Sequence, residues 1–294
     1  MHAHANRTYL FTPGNHARRV EKALTLGADV VILDLEDAVA IAEKVATRAI
    51  VREILDRPRD CAVFVRVNAY DTTFCYGDIT SVLCKTLDGI MLPKLENVSD
   101  LKSVEWLMEN LEREQGIEPG TIELMPIIET AKGQAVLRDL VQTPSRVKRY
   151  AFGAGDYTRD LGMDWTKGEA ELLPIRSEMV VASRLGGLEP PVDTVYIHIK
   201  EHEAFAQSCE TVRALGFQGK LCIHPDQIEP ANRTFAPDAE QIAFAEKIVA
   251  AFEEAEAAGV ASIQVDGYFV DYPIVESAKR TVALAETLRA LGKL

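Results

Sequence analysis

The segment VVILDLEDAV, Val30 to Val39, carries three carboxylates in four positions (Asp34, Glu36 and Asp37) directly behind an apolar run. A solvated surface strand would alternate apolar and polar residues. An unbroken apolar run that ends in acids predicts a buried strand whose C-terminal end opens onto a polar site. Two further runs end in acids: ELMPIIET carries Glu129 and RYAFGAGD closes on Asp156. Two carboxylates converging on a polar mouth form a partial shell for Mg2+, which takes its remaining oxygens from water and substrate. The structural alternative is that each caps the following helix or pairs with an arginine. Zinc is not expected, because no set of His and Cys has suitable spacing. His198 and His202, spaced i, i+4 in HIKEH, lack the glutamate of a zinc-protease motif and are expected at the surface.

Cations end other runs. Arg66 stands near the end of AVFVRVN and Lys94 closes GIMLPK. A planar guanidinium suits a carboxylate or an enolate oxygen. A structural ion pair with Glu36 or Asp37 is the competing role, and such a pair could also orient the arginine. Lys94 admits the same two roles. Arg18, Arg19 and Lys22 fall on the predicted first helix, where they could hold a phosphate-bearing ligand or form a solvated face. The stretch Gly153-Ala154-Gly155 lacks the third glycine of a dinucleotide fingerprint. Small residues there would leave backbone N–H groups free for an anion at a helix N-terminus.

The elements that must position these groups follow from the pattern. Eight β-rich runs begin at Arg7, Val30, Ala62, Gly89, Glu123, Arg149, Asp193 and Lys220, with amphipathic helical stretches between them. Strand alternating with helix implies parallel pairing, and runs without alternation imply strands covered on both faces. The fold class expected is α/β, a (β/α)8 TIM barrel over residues 1–229, with its chemistry at the C-terminal mouth of the strands. A helix from Ala239 to Ala258, a hairpin on an Asp266-Gly267 type I′ turn and a helix starting near Pro273 should follow. Residues 230–294 are therefore expected to form a helix-hairpin-helix lid and oligomerisation extension.

Composition bounds the partners. The 294 residues are 47% hydrophobic and 26% charged, which suits a large core and excludes wholesale disorder. A formal net charge of −13 argues against a general nucleic-acid or anionic-membrane binder. The five dispersed cysteines predict reduced, buried thiols. MHAHANR lacks the apolar core of a signal peptide and no run is long enough to span a bilayer, so a cytoplasmic protein is expected.

Taken in order, LFTPGN, VVILDLEDAV, VRVN, MLPK, PIIETAKG, GAGDYTRDLG, IHPDQI and VDYP resemble the citrate lyase β subunit-like (HpcH/HpaI aldolase) family and its malyl-CoA and citramalyl-CoA lyase relatives. The resemblance implies a (β/α)8 barrel and reversible, Mg2+-dependent carbon–carbon cleavage of a 3-hydroxyacyl thioester to acetyl-CoA or a homologue and a 2-oxo acid. It implies that Glu129 and Asp156 bind the metal, and that Arg66, Glu129 and the Gly153-Ala154-Gly155 turn contact substrate. Phe11, Arg18, Lys22 and His224 would contact CoA, with Glu36, Asp37 and Lys94 supporting from behind. Asp271 alone reads as a helix-start aspartate; the resemblance implies a catalytic acid/base delivered from a neighbouring subunit, and with it a homotrimer or a multiple of it. A carrier-protein thioester, or an aldol with no thioester, are the alternative substrates. The chain departs from the pattern at Gly155, where many relatives have glutamate, and at KEHEAF, where they often have Asp-x-x-Gly.

Overall fold

The computed structural model describes residues 5–294; Met1 to His4, part of the MHAHANR segment considered for a leader, lie outside them. The chain divides into two compact units, Met1–Asn232 and Arg233–Leu294, three residues beyond the boundary expected from sequence.

The first unit is a closed barrel of eight parallel strands in sequential order. Its elements are β1 (Thr8–Pro13), α1 (Ala17–Ala23), β2 (Val30–Asp34), α2 (Lys44–Leu55), β3 (Ala62–Arg66), α3 (Cys75–Val82), β4 (Gly89–Leu92) and α4 (Val98–Glu114). There follow β5 (Glu123–Ile128), α5 (Ala131–Ala135), α6 (Leu137–Gln142), β6 (Ala151–Phe152), α7 (Ala154–Leu161) and α8 (Leu173–Leu185). The unit closes with β7 (Val192–Asp193), α9 (His202–Leu215), β8 (Gly219–Cys222) and most of α10 (Ile228–Thr234).

Tyr9, Val30, Ile32, Ala62, Phe64, Met91, Met125, Ile127, Ala151, Val192 and Leu221 fill the interior, with Phe11 packed against them. Burial of a large apolar side chain contributes about 1.5–3 kcal/mol. This plug also fixes which residues face the mouth, because strand side chains alternate. On the inward parity of Val30 and Ile32 comes Asp34, after Ala62 and Phe64 comes Arg66, after Met125 and Ile127 comes Glu129, after Ala151 comes Gly153, and after Val192 comes Thr194. Asp34 and Arg66 are partners in the β2–β3 register.

Two strands are shorter than the sequence implied. β6 ends at Phe152, and the GAGD turn starts α7. β7 ends at Asp193, although the apolar run TVYIHI continues. Asp193 points outward into a buried network, 2.8 Å from Arg176 and 2.5 Å from Lys220. Beyond it the backbone turns sharply, with the Ile199 N–H donating to the Ile197 carbonyl at 3.0 Å. His202 is exposed as expected, but His198 is half-buried with its ring edge-on to Tyr196 at 5.6 Å. All five cysteines are buried, and none of them is in a disulfide. Among the described residues, no helix is long and apolar enough to cross a membrane.

The second unit contains α11 (Ala239–Ala257), β9 (Ile263–Val265), β10 (Tyr268–Val270) and α12 (Tyr272–Ala290). Asp238 and Gln241 form a capping box at the start of α11. Asp266 and Gly267 have φ of 49° and 84°, the two positive values that a type I′ turn requires. Ala245, Ile248, Phe252, Val265, Val270, Val275 and Ala278 form this unit's own core.

Candidate active site

Arg66 anchors the mouth of the barrel. Its Nε donates to Asp34 Oδ1 at 2.7 Å and its Nη2 to Asp34 Oδ2 at 2.6 Å. The guanidinium carbon lies 4.8 Å from the Phe11 ring centroid, close enough for a cation–π contact. With Nε and Nη2 taken, Nη1 faces the acids, 3.0 Å from Glu36 Oε2 and 3.7 Å from Asp37 Oδ2. The expected pairing with Glu36 and Asp37 therefore exists, but the principal partner is Asp34. Burial would raise the Asp34 carboxyl, yet Arg66 and the Glu36 and Ala38 N–H groups outweigh it and hold it below the usual range.

Lys94 sits among the other acids. Its Nζ is 2.5 Å from Glu36 Oε1, 3.6 Å from Asp156 Oδ2 and 3.9 Å from Asp37 Oδ2. Its backbone is left-handed, φ 51°, and its N–H donates to Glu129 Oε1 at 2.9 Å. A non-glycine residue in that region costs about 1–3 kcal/mol and marks an imposed geometry. Here the turn puts both donors of one lysine onto the acidic cluster.

Glu129 follows β5 and is almost wholly buried, 3% exposed. Its carboxyl is pushed up to about 8, by burial first and then by Glu36, against the opposing pull of Lys94 and Arg66. Gly153 is required beside it, because a Cβ there would stand 2.3 Å from Glu129 Oε2. Asp156 lies in the first turn of α7, also paired with the exposed Arg159.

The turn before Asp156 is less open to an anion than its sequence suggested. The Gly153 N–H donates to the Ile128 carbonyl at 3.1 Å and the Ala154 N–H to Thr194 Oγ1 at 2.8 Å. Gly153, Ala154 and Gly155 do line the Glu129 side, but two of their amides serve the barrel itself. Thr194 went unnoticed in the sequence, where it stood inside an apparently continuous strand.

The donor set fits a magnesium ion. Among the described residues no group of three or more His, Cys, Asp or Glu could hold a metal. Mg2+ needs only one or two protein carboxylates, since it keeps several waters. Glu129 and Asp156 supply two, and the crowding that raises Glu129 is what a divalent cation would relieve. Glu36 Oε2 is buried and has no hydrogen-bond partner, its 3.0 Å contact with Arg66 being ionic without the alignment of a hydrogen bond.

Three further candidates belong to the barrel unit and one to the second unit. Arg18 and Lys22 are exposed on α1, and His224 is half-buried after β8, the strand that pairs with β1. His224 Nδ1 accepts from the Asp226 N–H at 3.3 Å. In the second unit, Asp271 caps α12, Oδ1 accepting from the Ile274 N–H at 3.4 Å.

The family model described as HpcH/HpaI aldolase/citrate lyase matches residues 7–225. The chain belongs to this family. With that membership goes the enzyme class, carbon–carbon lyase. The family member is 36% identical to a citrate lyase subunit beta of Leuconostoc mesenteroides subsp. cremoris over 281 residues, 95% of this chain and 93% of that relative. It is 34% identical over 290 residues to a (3S)-malyl-CoA thioesterase of Cereibacter sphaeroides, 98% of this chain and 97% of that one. Among solved structures, the protein CitE from Mycobacterium tuberculosis in complex with magnesium, acetoacetate and coenzyme A superposes with a TM-score of 0.76 at 26% identity, covering 96% of this chain and 98% of that one.

Proposed function

We propose that the chain is a Mg2+-dependent lyase that reversibly splits a 3-hydroxyacyl-CoA thioester of the citramalyl-, malyl- or citryl-CoA type. The products are acetyl-CoA or a homologue and a 2-oxo acid. The observation that carries this reading is the mouth itself, where a charged Arg66 nitrogen faces Glu36 beside two carboxylates suited to Mg2+. The magnesium, acetoacetate and coenzyme A of the CitE structure support it.

In cleavage the 3-hydroxyl gives its proton to water, the C2–C3 bond breaks, C3 becomes the carbonyl of the 2-oxo acid, and C2 keeps the electron pair as a thioester enolate. Mg2+ held by Glu129 and Asp156 would supply Lewis-acid polarisation of the 2-oxo acid carbonyl. Arg66, fixed by Asp34 on one edge, offers Nη1 to the enolate oxygen. Glu36 and Lys94 keep that nitrogen and the acidic cluster in place. Asp271 is the acid that protonates C2, and in condensation the base that removes that proton. We assign it to a second copy, in a homotrimer or a multiple of it. The hairpin beside Asp271 leaves Tyr268 60% and Phe269 65% exposed, which supports an assembly surface. Arg18, Lys22 and His224 contact the CoA portion.

A second reading is favoured by the thioesterase relative, namely hydrolysis of the thioester bond in a malyl-CoA-type substrate. Mass-spectrometric product analysis on citramalyl-, malyl-, β-methylmalyl- and citryl-CoA, with Mg2+ and with EDTA, separates the two. The lyase gives an acyl-CoA and a 2-oxo acid, whereas the hydrolase gives free CoA and the intact hydroxy acid. Turnover only of a carrier-protein thioester would move the substrate to that of a citrate lyase β subunit.

A further inference from the structure

Behind the acidic cluster lies a lysine that the mechanism does not use. Lys44 begins α2, but its side chain folds back into the protein and is only 7% exposed. Its Nζ donates to the Leu35 carbonyl at 3.1 Å, the Glu36 carbonyl at 2.6 Å and Asn68 Oδ1 at 2.6 Å. An ammonium has three donors, and these partners use all of them. The Phe74 ring centroid lies 5.8 Å from the nitrogen.

None of its three acceptors is a carboxylate. Burying a charge without a direct counter-ion is costly, so its partners show what the charge accomplishes. Two are the successive carbonyls of Leu35 and Glu36, where the chain leaves β2, and together they fix the two peptides on either side of Glu36. The third, Asn68, lies in the loop just beyond Arg66, the last residue of β3. Its Nδ2 donates to the Leu35 carbonyl at 2.9 Å and to Asp78 Oδ2 at 2.7 Å. Asp78 Oδ1 in turn accepts from Arg48 Nε at 2.8 Å. The backbone that carries Glu36 is thus tied through one cation to the loop after β3, to α2 and to α3.

We infer that Lys44 is a positioning residue for the active site, acting by locking the backbone of Glu36 so that its carboxylate reaches Arg66 and Lys94. This rests on the reading of that cluster as the catalytic centre. Glu36 has two contacts to make, Oε1 to Lys94 and Oε2 to Arg66. Rotation of the Leu35–Glu36 peptide would break both while leaving the barrel strands intact.

The test uses Lys44→Met, which keeps the stem and removes the ammonium. Hydrogen–deuterium exchange should be about 10-fold or more faster in residues 34–39 and unchanged in the helix 239–257. On the thioester that the wild type cleaves best, kcat should fall about 100-fold with KM within about 3-fold, as for a small misplacement of reacting groups. In a Glu36→Gln background the same substitution should change kcat by less than about 3-fold, because both changes act through one contact. Unchanged exchange in residues 34–39, or the full loss repeated in the Glu36→Gln background, would overturn the inference. A wild type that cleaves no thioester would refute the lyase reading alone, since exchange still decides whether Lys44 fixes the loop. If Lys44→Met does not fold, Asn68→Ser removes one of the three acceptors and should accelerate exchange in the same residues.

Discussion

Asp34 and Arg66 are register partners on adjacent strands, and their side chains meet through both carboxylate oxygens, at 2.7 and 2.6 Å. The pair is largely buried, so removing the Asp34 charge leaves Nε and Nη2 of Arg66 without their anionic partner. Asp34→Asn should destabilise the protein by about 3–5 kcal/mol. It should also lower kcat about 100-fold through misorientation of Arg66. Urea unfolding and steady-state kinetics check the two effects separately.

Gly153 gives a cleaner test of Glu129 placement. A methyl group there would meet Glu129 Oε2 at 2.3 Å and Ile127 Cγ2 at 3.0 Å. Gly153→Ala should weaken Mg2+ binding about 10–100-fold by calorimetry, the range for disturbed support of a metal ligand. The stability loss should stay near about 1–3 kcal/mol, as for an overpacked site.

Acid stability should report on the buried Asp193 network on the outer face of the barrel strands. Burial would raise the Asp193 carboxyl, but Lys220 and Arg176 outweigh it and hold it below its usual range. A carboxyl depressed in the folded state contributes stability above its unfolded pKa of about 3.9, and that contribution is lost as pH falls through the folded value. Asp193→Asn should therefore be less stable than wild type at pH 7 by about 3–5 kcal/mol. The gap should narrow below about pH 4. Urea midpoints measured across pH check this.

Mixing two inactive variants tests the second-copy origin of Asp271. Arg66→Ala and Asp271→Ala should each be inactive alone. Co-refolded in equal amounts, they should recover about a quarter of wild-type activity if each site draws Asp271 from one neighbour. No recovery would place both residues in one chain.

Most of this site could be read from strand ends. Glu36, Arg66, Lys94, Glu129 and Asp156 were visible because a charge terminates an apolar run, and in a parallel barrel that end is the mouth. What the pattern hid was pairing. Asp34 passed as the last residue of its strand, since its role depends on the β2–β3 register, which no local signal specifies. Lys44 falls in an amphipathic helical stretch, where no local signal sets its inward fold; that depends on carbonyls eight and nine positions earlier and on Asn68, just past the end of β3. The TVYIHI run overpredicted β7 because apolar content does not reveal that Asp193 is held outward by Arg176 and Lys220.

Glu129→Gln separates a metal-holding Glu129 from a merely structural one. Acyl-CoA release from the preferred thioester would be followed by mass spectrometry across a Mg2+ titration, with EDTA as the zero point. Wild-type cleavage should require Mg2+, and Glu129→Gln should lose about 1,000-fold or more in kcat/KM even at saturating metal, a loss of about 4 kcal/mol in transition-state stabilisation. Cleavage that persists in EDTA, or a variant within about 3-fold of wild type, would show that Glu129 does not hold a metal needed for cleavage.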